Sequence, residues 1–223
     1  MEMVDLARKD IRVLIADVYP VICTGLITTI EADAYMHVVG TATCRHDLIA
    51  QLKATDLDVL VINLIDMGGA PVSLLREIKQ PYGRLGIVVF AATVDFAPEL
   101  LAAGVKAYIS YAEPDEHLHL AIRAAHARQK YLSPLTQDYM DRWAELATKH
   151  RFVPRELQII KCIAQGMDTE EIARKLDINF WTVRNYVSSI RKKTGWTTWP
   201  QMVSWYHTMY GNVVNVSSAV HRA

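Results

Sequence analysis

The chain has 223 residues, enough for two ordinary domains, and 51% of them are apolar, enough for real cores and too many for a disordered chain. Its 24 Lys and Arg balance 24 Asp and Glu, but residues 1–150 carry 14 basic against 19 acidic side chains and residues 150–210 carry 9 against 5. A mildly acidic module is thus joined to a basic one suited to a polyanion. No apolar run reaches the roughly 18 residues needed to cross a bilayer. The start, MEMVDLARKD, has no signal-peptide core. Three cysteines without a CxxC pair (Cys23, Cys44 and Cys162) argue against a disulfide framework. The expectation is a soluble, cytoplasmic protein.

From the N-terminus, short apolar runs alternate with helical patterns. Strands are predicted at Ile11 to Ala16, His37 to Gly40, Asp58 to Leu64, Gly86 to Ala92 and Lys106 to Ile109. The third, DVLVINL, is nearly all apolar, as a central parallel strand covered on both faces must be. Helical stretches fall near 20–32, 46–54, 71–79, 95–103 and 114–130. Five strands alternating with five helices predict a doubly wound α/β domain with a five-stranded parallel sheet over residues 1–130. Ligands of such sheets bind at the carboxyl ends of the strands, here Asp17 and Val18, Asn63, Ala91 and Thr93, and Tyr111.

Residues 131–150 read as a helical linker. Ser133-Pro134 ends the fifth helix, and Leu135, Tyr139, Trp143 and Leu146 then form one apolar stripe. Residues 151–211 read as a compact helical domain, with a tail at 212–223. Pro154 opens a helix that buries Leu157, Ile160, Ile163 and Ala164 and stops at Gly166. Asp168 and Glu171 form a capping box for a second helix that buries Ile172, Ala173 and Leu176. Asn179 caps a third helix on which Val183, Val187 and Ile190 face inward. Arg184, Asn185, Ser188, Arg191 and Lys192 are then left outward. A fourth helix after Thr198 carries Trp199, Met202, Trp205, Tyr206 and Met209, part of which reads as a pairing face.

A short helix, a tight turn and a helix with exposed Arg and Asn near its start are what reading double-stranded DNA requires. Arg takes guanine O6 and N7 together and Asn takes adenine N6 and N7. Lys and Arg at the far end, Arg191-Lys192-Lys193, suit phosphates.

Other clusters are weaker. His117 and His119 with Glu113 and Glu116 could suggest a metal, but residues two apart point to different sides of a helix, so a solvated helix face and no metal are expected. Cys44 beside Arg45 and His46 reads as a loop thiol. Asp17 and Asp66 have no neighbouring His or Lys with which to form a hydrolytic pair, so no enzyme and no cofactor are expected.

The segments IADVYPVICTGL, DVLVINLIDMGG and AAGVKAYISYAEPDEHLHLAI resemble the receiver domain of two-component response regulators. Val153-Pro154-Arg155-Glu156, Ala164, Gly166, Glu171-Ile172-Ala173, Leu176, Ile178, Thr182-Val183, Ile190, Lys193 and Gly195 resemble the LuxR-type helix-turn-helix. Together the chain is similar to the NarL/FixJ class. An acyl-homoserine-lactone receptor carries the same C-terminal module, but its ligand domain lacks this β/α alternation.

The resemblance implies that Arg184, Asn185 and Ser188 enter the major groove, with Thr182, Tyr186 and Lys192 nearer the backbone. It also implies a dimer reading paired half-sites. Asn179-Phe180-Trp181 places two aromatics where the family has small or charged residues. In the receiver the chemical positions depart from the family. The phosphoacceptor position is Asn63, which cannot form an acyl phosphate. Val18 follows Asp17 where a second acid would help hold Mg²⁺. The hydroxyl position is Ala91 and the lysine position is Tyr111, while the aromatic switch position is kept as Tyr108.

The sequence therefore predicts a DNA-binding transcription regulator with a degenerate phosphoacceptor pocket, not switched by aspartyl phosphorylation. It would act as a homodimer or paired with a standard regulator. Two roles for the receiver stay open: a dimerisation scaffold, or a sensor that takes a small molecule, a protein partner or an oxidation at Cys23 or Cys44. Phosphorylation rescued on Asp66 is disfavoured, because that position would need a metal partner and a cation.

Overall fold

A computed structural model describes residues 10–113 and 115–210, without the side chains of 146–147, 149–150 and 208–210. The N-terminal MEMVDLARK and the tail after 211 lie outside the described residues, as do the side chains of Leu146 and Met209. The chain divides into two compact units, 1–137 and 138–223.

The first unit is a parallel sheet in the order β2-β1-β3-β4-β5-β6. Its strands are β1 (Ile11–Ala16), β2 (Met36–Ala42), β3 (Val59–Ile62), β4 (Gly86–Ala91), β5 (Ala107–Ser110) and β6 (Tyr131–Leu132). The helices between them are α1 (Pro20–Glu31), α2 (Arg45–Ala54), α3 (Pro71–Lys79), α4 (Ala97–Ala102) and α5 (Asp115–His126). Residues of β1, β3 and β4 are almost entirely buried, because helices cover both faces. Val13, Val59, Val88 and Ala107 from the strands, with Leu26, Ile30, Ala121 and Ile122 from α1 and α5, make one core. At Gly86 a Cβ would come within 2.8 Å of the Ala125 carbonyl oxygen, so only glycine lets α5 lie this close to β4.

The sheet has six strands, not the five expected. The fifth helix was expected to run to 130, but Arg128 adopts φ +58° and α5 stops at His126. The amides of Arg128 and Gln129 bond back to Ala125 and Ala124. The released chain then adds to the sheet edge, where the Tyr131 and Ser133 amides donate to the Lys106 and Tyr108 carbonyls. Two residues are too few for an alternating pattern to declare a strand.

α6 (Pro134–His150) begins in the first unit and continues into the second. The second unit then has α7 (Pro154–Ala164), α8 (Thr169–Leu176), α9 (Phe180–Thr194) and α10 (Trp199–Tyr210). The expected capping box forms at the start of α8. Asp168 accepts the Glu170 and Glu171 amides while Glu171 accepts the Asp168 amide. Gln201 accepts the Thr197 and Thr198 amides at the start of α10. α7 differs from expectation: Glu156 through Ile163 are all buried, including Gln158 and Lys161, while Ala164 is only partly covered. An amphipathic stripe does not anticipate a helix enclosed on every side. Among the described residues no helix is long and apolar enough to cross a membrane.

Candidate functional site

At the carboxyl ends of β1, β3, β4 and β5 lie Asp17, Asn63, Ala91 and Tyr111. Asp17 and Asn63 are 1% and 2% exposed, so their polar atoms need partners inside the protein. They find them in each other's neighbourhood. The Tyr111 hydroxyl donates to Asp17 Oδ2 at 2.5 Å and accepts from Asn63 Nδ2 at 2.9 Å. The second amide proton of Asn63 goes to Asp66 Oδ2 at 2.7 Å, and Asn63 Oδ1 accepts the Ile65 amide at 3.2 Å. Asp17 Oδ1 accepts the Tyr19 amide at 2.9 Å. The Tyr111 ring packs on Phe90, centroids 4.5 Å apart.

The phenol of Tyr111 is therefore the middle of a closed chain, Asp17–Tyr111–Asn63–Asp66. Burial, then the hydrogen bond and charge of Asp17, push its pKa well above the ordinary tyrosine value and keep it a proton donor. Sequence reading named these residues but treated Tyr111 only as a missing cation. The side chain instead reaches across the sheet and fills the role of a neutral bridge. Val18 is half-buried beside them and Ala91 is fully buried. Tyr108 is also fully buried, and its hydroxyl donates to the Thr93 carbonyl at 2.8 Å.

The remaining candidates disperse. His117 Nδ1 meets the Tyr131 hydroxyl and His119 Nε2 the Thr29 carbonyl. Glu113 accepts the Ser110 and Leu135 amides, so the four residues of the imagined metal cluster do not converge. Cys23 is buried, and burial, followed by the charge of Asp17, pushes its thiol up, away from the reactive thiolate. Cys44 is exposed, and its sulfur caps α2 by accepting the Asp47 amide at 3.5 Å. The Arg45 side chain beside it pairs with Glu77.

In the second unit, α8 and α9 are joined by Asp177, Ile178 and Asn179. Asp177 takes the left-handed conformation (φ 51°, ψ 52°) that closes α8. Asn179 Oδ1 accepts the Thr182 amide at 2.7 Å and its hydroxyl at 2.9 Å, fixing the first turn of α9. Val183, Val187 and Ile190 are buried, a ridge worth roughly 1.5–3 kcal/mol per side chain by area. That ridge sets the rotation of the helix. Arg184, Asn185, Ser188, Arg191 and Lys192 are consequently all exposed. Thr182 is half-buried and its hydroxyl is held by the cap. An open hollow of about 360 Å³ is lined by Val153, Glu156, Thr182, Asn185, Tyr186, Ser189 and Lys193.

Lys193 differs from the phosphate contact that its place beside Arg191 and Lys192 predicts: its ammonium bonds Glu156 Oε2 at 2.6 Å and the Arg151 carbonyl at 2.8 Å. Glu156 is 1% exposed and also accepts from Ser189 Oγ at 2.6 Å and the Val153 amide at 2.9 Å. Burial alone would raise this carboxyl; the bonds from Lys193, Ser189 and Val153 overcome that and hold it below the usual range. Arg155 bonds Gln158 and the Leu176 carbonyl, tying α7 to the end of α8. These are positioning contacts, and the ones that join different helices are hidden in the sequence because their partners lie 21 to 42 residues away.

Comparison with known proteins agrees with this geometry. Residues 150–206 match the family described as bacterial regulatory proteins, luxR family. Over 183 residues the chain is 27% identical to the transcriptional regulatory protein DesR of Bacillus subtilis, covering 82% of this chain and 89% of that one. It is 26% identical over 207 residues to the oxygen regulatory protein NreC of Staphylococcus aureus, covering 87% and 95%. Among solved structures, RcsB of Salmonella enterica serovar Typhimurium bound to a promoter superposes with a TM-score of 0.66 at 21% identity, over 90% of this chain and 100% of that one. The isolated receiver domain of RcsB superposes with a TM-score of 0.54 at 23% identity, over 58% and 98%. The chain thus joins a receiver-like α/β domain to a helical domain that matches the luxR family of bacterial regulatory proteins, and it is similar over most of its length to DesR and NreC.

Proposed function

We propose that this protein is a sequence-specific DNA-binding transcription regulator whose receiver-like domain is not switched by aspartyl phosphorylation. The observation that carries DNA binding is the exposed row Arg184, Asn185 and Ser188, held outward by the buried Val183–Val187–Ile190 ridge and started by the Asn179 cap. Arg184 and Asn185 then read base edges in the major groove, and Arg191 and Lys192 at the other end neutralise phosphates. Similarity to a transcriptional regulatory protein and an oxygen regulatory protein supports the reading, as does the promoter bound to RcsB. Selection of bound fragments from randomised DNA at stated salt tests it. Enrichment of a defined sequence is expected, and recovery of unselected sequence overturns it.

Independence from phosphorylation is supported by the closed chain at the sheet's end. Asn63 offers no carboxylate to attack a phosphoryl donor, and the Asp17 carboxylate is already bonded to Tyr111 and the Tyr19 amide. Acetyl phosphate with Mg²⁺ is expected to leave mass and DNA affinity unchanged; gain of one acid-labile phosphoryl group overturns the proposal.

The protein would act as a dimer. Val21 on α1 and Leu120 on α5 are 76% and 49% exposed on neighbouring helices, which suits pairing with a second copy or a related regulator. Sedimentation of the full chain with and without Val21→Asp measures this. A monomeric variant beside a dimeric parent is the expected result, and a parent that sediments as a monomer at all concentrations removes the pairing.

A further inference from the structure

The first residues of α9 carry an unusual apolar load. Trp181 is 67% exposed and Phe180 37%, and the two rings meet edge to face with centroids 5.6 Å apart. The Arg184 guanidinium carbon lies 5.5 Å from the Trp181 centroid and 5.9 Å from that of Phe180. A guanidinium resting on aromatic rings loses side-chain freedom but can still present its in-plane donors. The pair is not an ordinary stray hydrophobic. It brackets the residue placed to read a base, on a helix whose sequence, FWTVRNYVSSIRKKT, holds no acid and, beside the Lys193 that pairs with Glu156, three exposed basic side chains, Arg184, Arg191 and Lys192. That charge selects a polyanion as the occupant of this surface rather than an apolar partner protein.

We infer that Trp181, backed by Phe180, is a specificity-determining residue that packs on the C5-methyl of a thymine adjacent to the guanine taken by Arg184. The inference rests on the reading that α9 enters the major groove, where the thymine methyl is the apolar feature of the base edges. Three residues separate Trp181 from Arg184, a rise of about 4.5 Å along the helix. That is close to one base-pair step of about 3.4 Å, so the two side chains reach neighbouring pairs. Aromatic contact fixes Arg184 before binding, so the indole reads one pair and positions the reader of the next.

The full chain is used to select sites from randomised DNA, and in the best site the thymine beside the guanine is then replaced by deoxyuridine, which lacks only the methyl. The wild type is expected to bind the deoxyuridine site roughly fourfold more weakly, the effect of one methyl-sized group withdrawn from apolar contact. Trp181→Ala is expected to bind both sites equally while keeping its preference for the guanine, and Trp181→Phe to keep part of the discrimination. A wild type indifferent to the methyl overturns the inference without any variant. So does a Trp181→Ala protein that loses affinity equally for both sites, which would put the indole on the sugar–phosphate backbone, or a selected site with no thymine beside the guanine. If the wild type selects no sequence at all, the DNA-reading proposal itself fails.

Discussion

The carboxyl end of the α/β sheet and the outer face of α9 use similar side chains in opposite ways. At the sheet's end Asp17, Asn63, Asp66 and Tyr111 bond one another through two buried groups, and no amide proton of Asn63 is left over. On α9 the amide of Asn185 and the guanidinium of Arg184 stand exposed. The difference is burial. A buried polar group without a partner costs about 1–3 kcal/mol, so the protein must close the sheet's end internally. An exposed group keeps water until a ligand of matching geometry arrives. One region has consumed its chemistry in stability, and the other has kept its chemistry available.

The contrast breaks most visibly on the exposed face. Replacing Arg184 and Asn185 together by alanine is expected to lower affinity for the selected site by about a hundredfold or more, since each bidentate base contact contributes about 1–3 kcal/mol. The melting temperature should not move, because neither side chain is buried. Affinity for random DNA should fall far less, and titration of both DNAs at matched salt separates the two.

Inside the same domain the effect should reverse, with stability lost before specificity. Lys193→Met strands the buried Glu156 carboxylate with only Ser189 and the Val153 amide. A loss of about 3 kcal/mol is expected in urea unfolding. Adding Glu156→Gln should recover part of it by removing the stranded charge. If Lys193→Met instead weakens DNA binding at unchanged stability, Lys193 is a phosphate contact after all.

At the sheet's end Tyr111→Phe removes one hydroxyl that both donates and accepts. A destabilisation of about 1–3 kcal/mol is expected by the same unfolding measurement, with no gain of phosphorylation, because Asn63 still lacks a carboxylate. A stable Tyr111→Phe protein would mean the chain Asp17–Tyr111–Asn63 is incidental.

The smallest effect is on pH. The folded-state pKa of Glu156 lies below its ordinary 4.5, so its contribution is fully present above about that value and is lost as pH falls through the folded value. Asp58 behaves alike: the hydrogen bond from Arg12 lowers it against the opposing pull of burial. Stability should therefore decline below about pH 4.5 in the helical domain and below about pH 3.8 in the α/β domain, and Glu156→Gln should flatten the slope for the helical domain alone. An unchanged slope in Glu156→Gln would show that other carboxylates carry it.

Much of this molecule is written locally. Short continuous apolar runs gave β1, β3 and β4, and Pro154, Gly166, Asp168, Asn179 and Gly195 punctuated the second domain, because caps and hydrophobic patterns act over a few residues. The outward row on α9 followed from the spacing of Val183, Val187 and Ile190 alone. What needed the tertiary structure is what joins distant residues. β6 exists because an αL residue at Arg128 frees the chain to reach β5. Lys193 turned from a phosphate ligand into a strut because Glu156, 37 residues earlier, is buried beneath it. Tyr111 turned from an absent lysine into a bridge because folding brings it to Asp17, 94 residues away. A side chain's type fixes which bonds it can make; only the packed fold decides whether it makes them inward or leaves them for a partner.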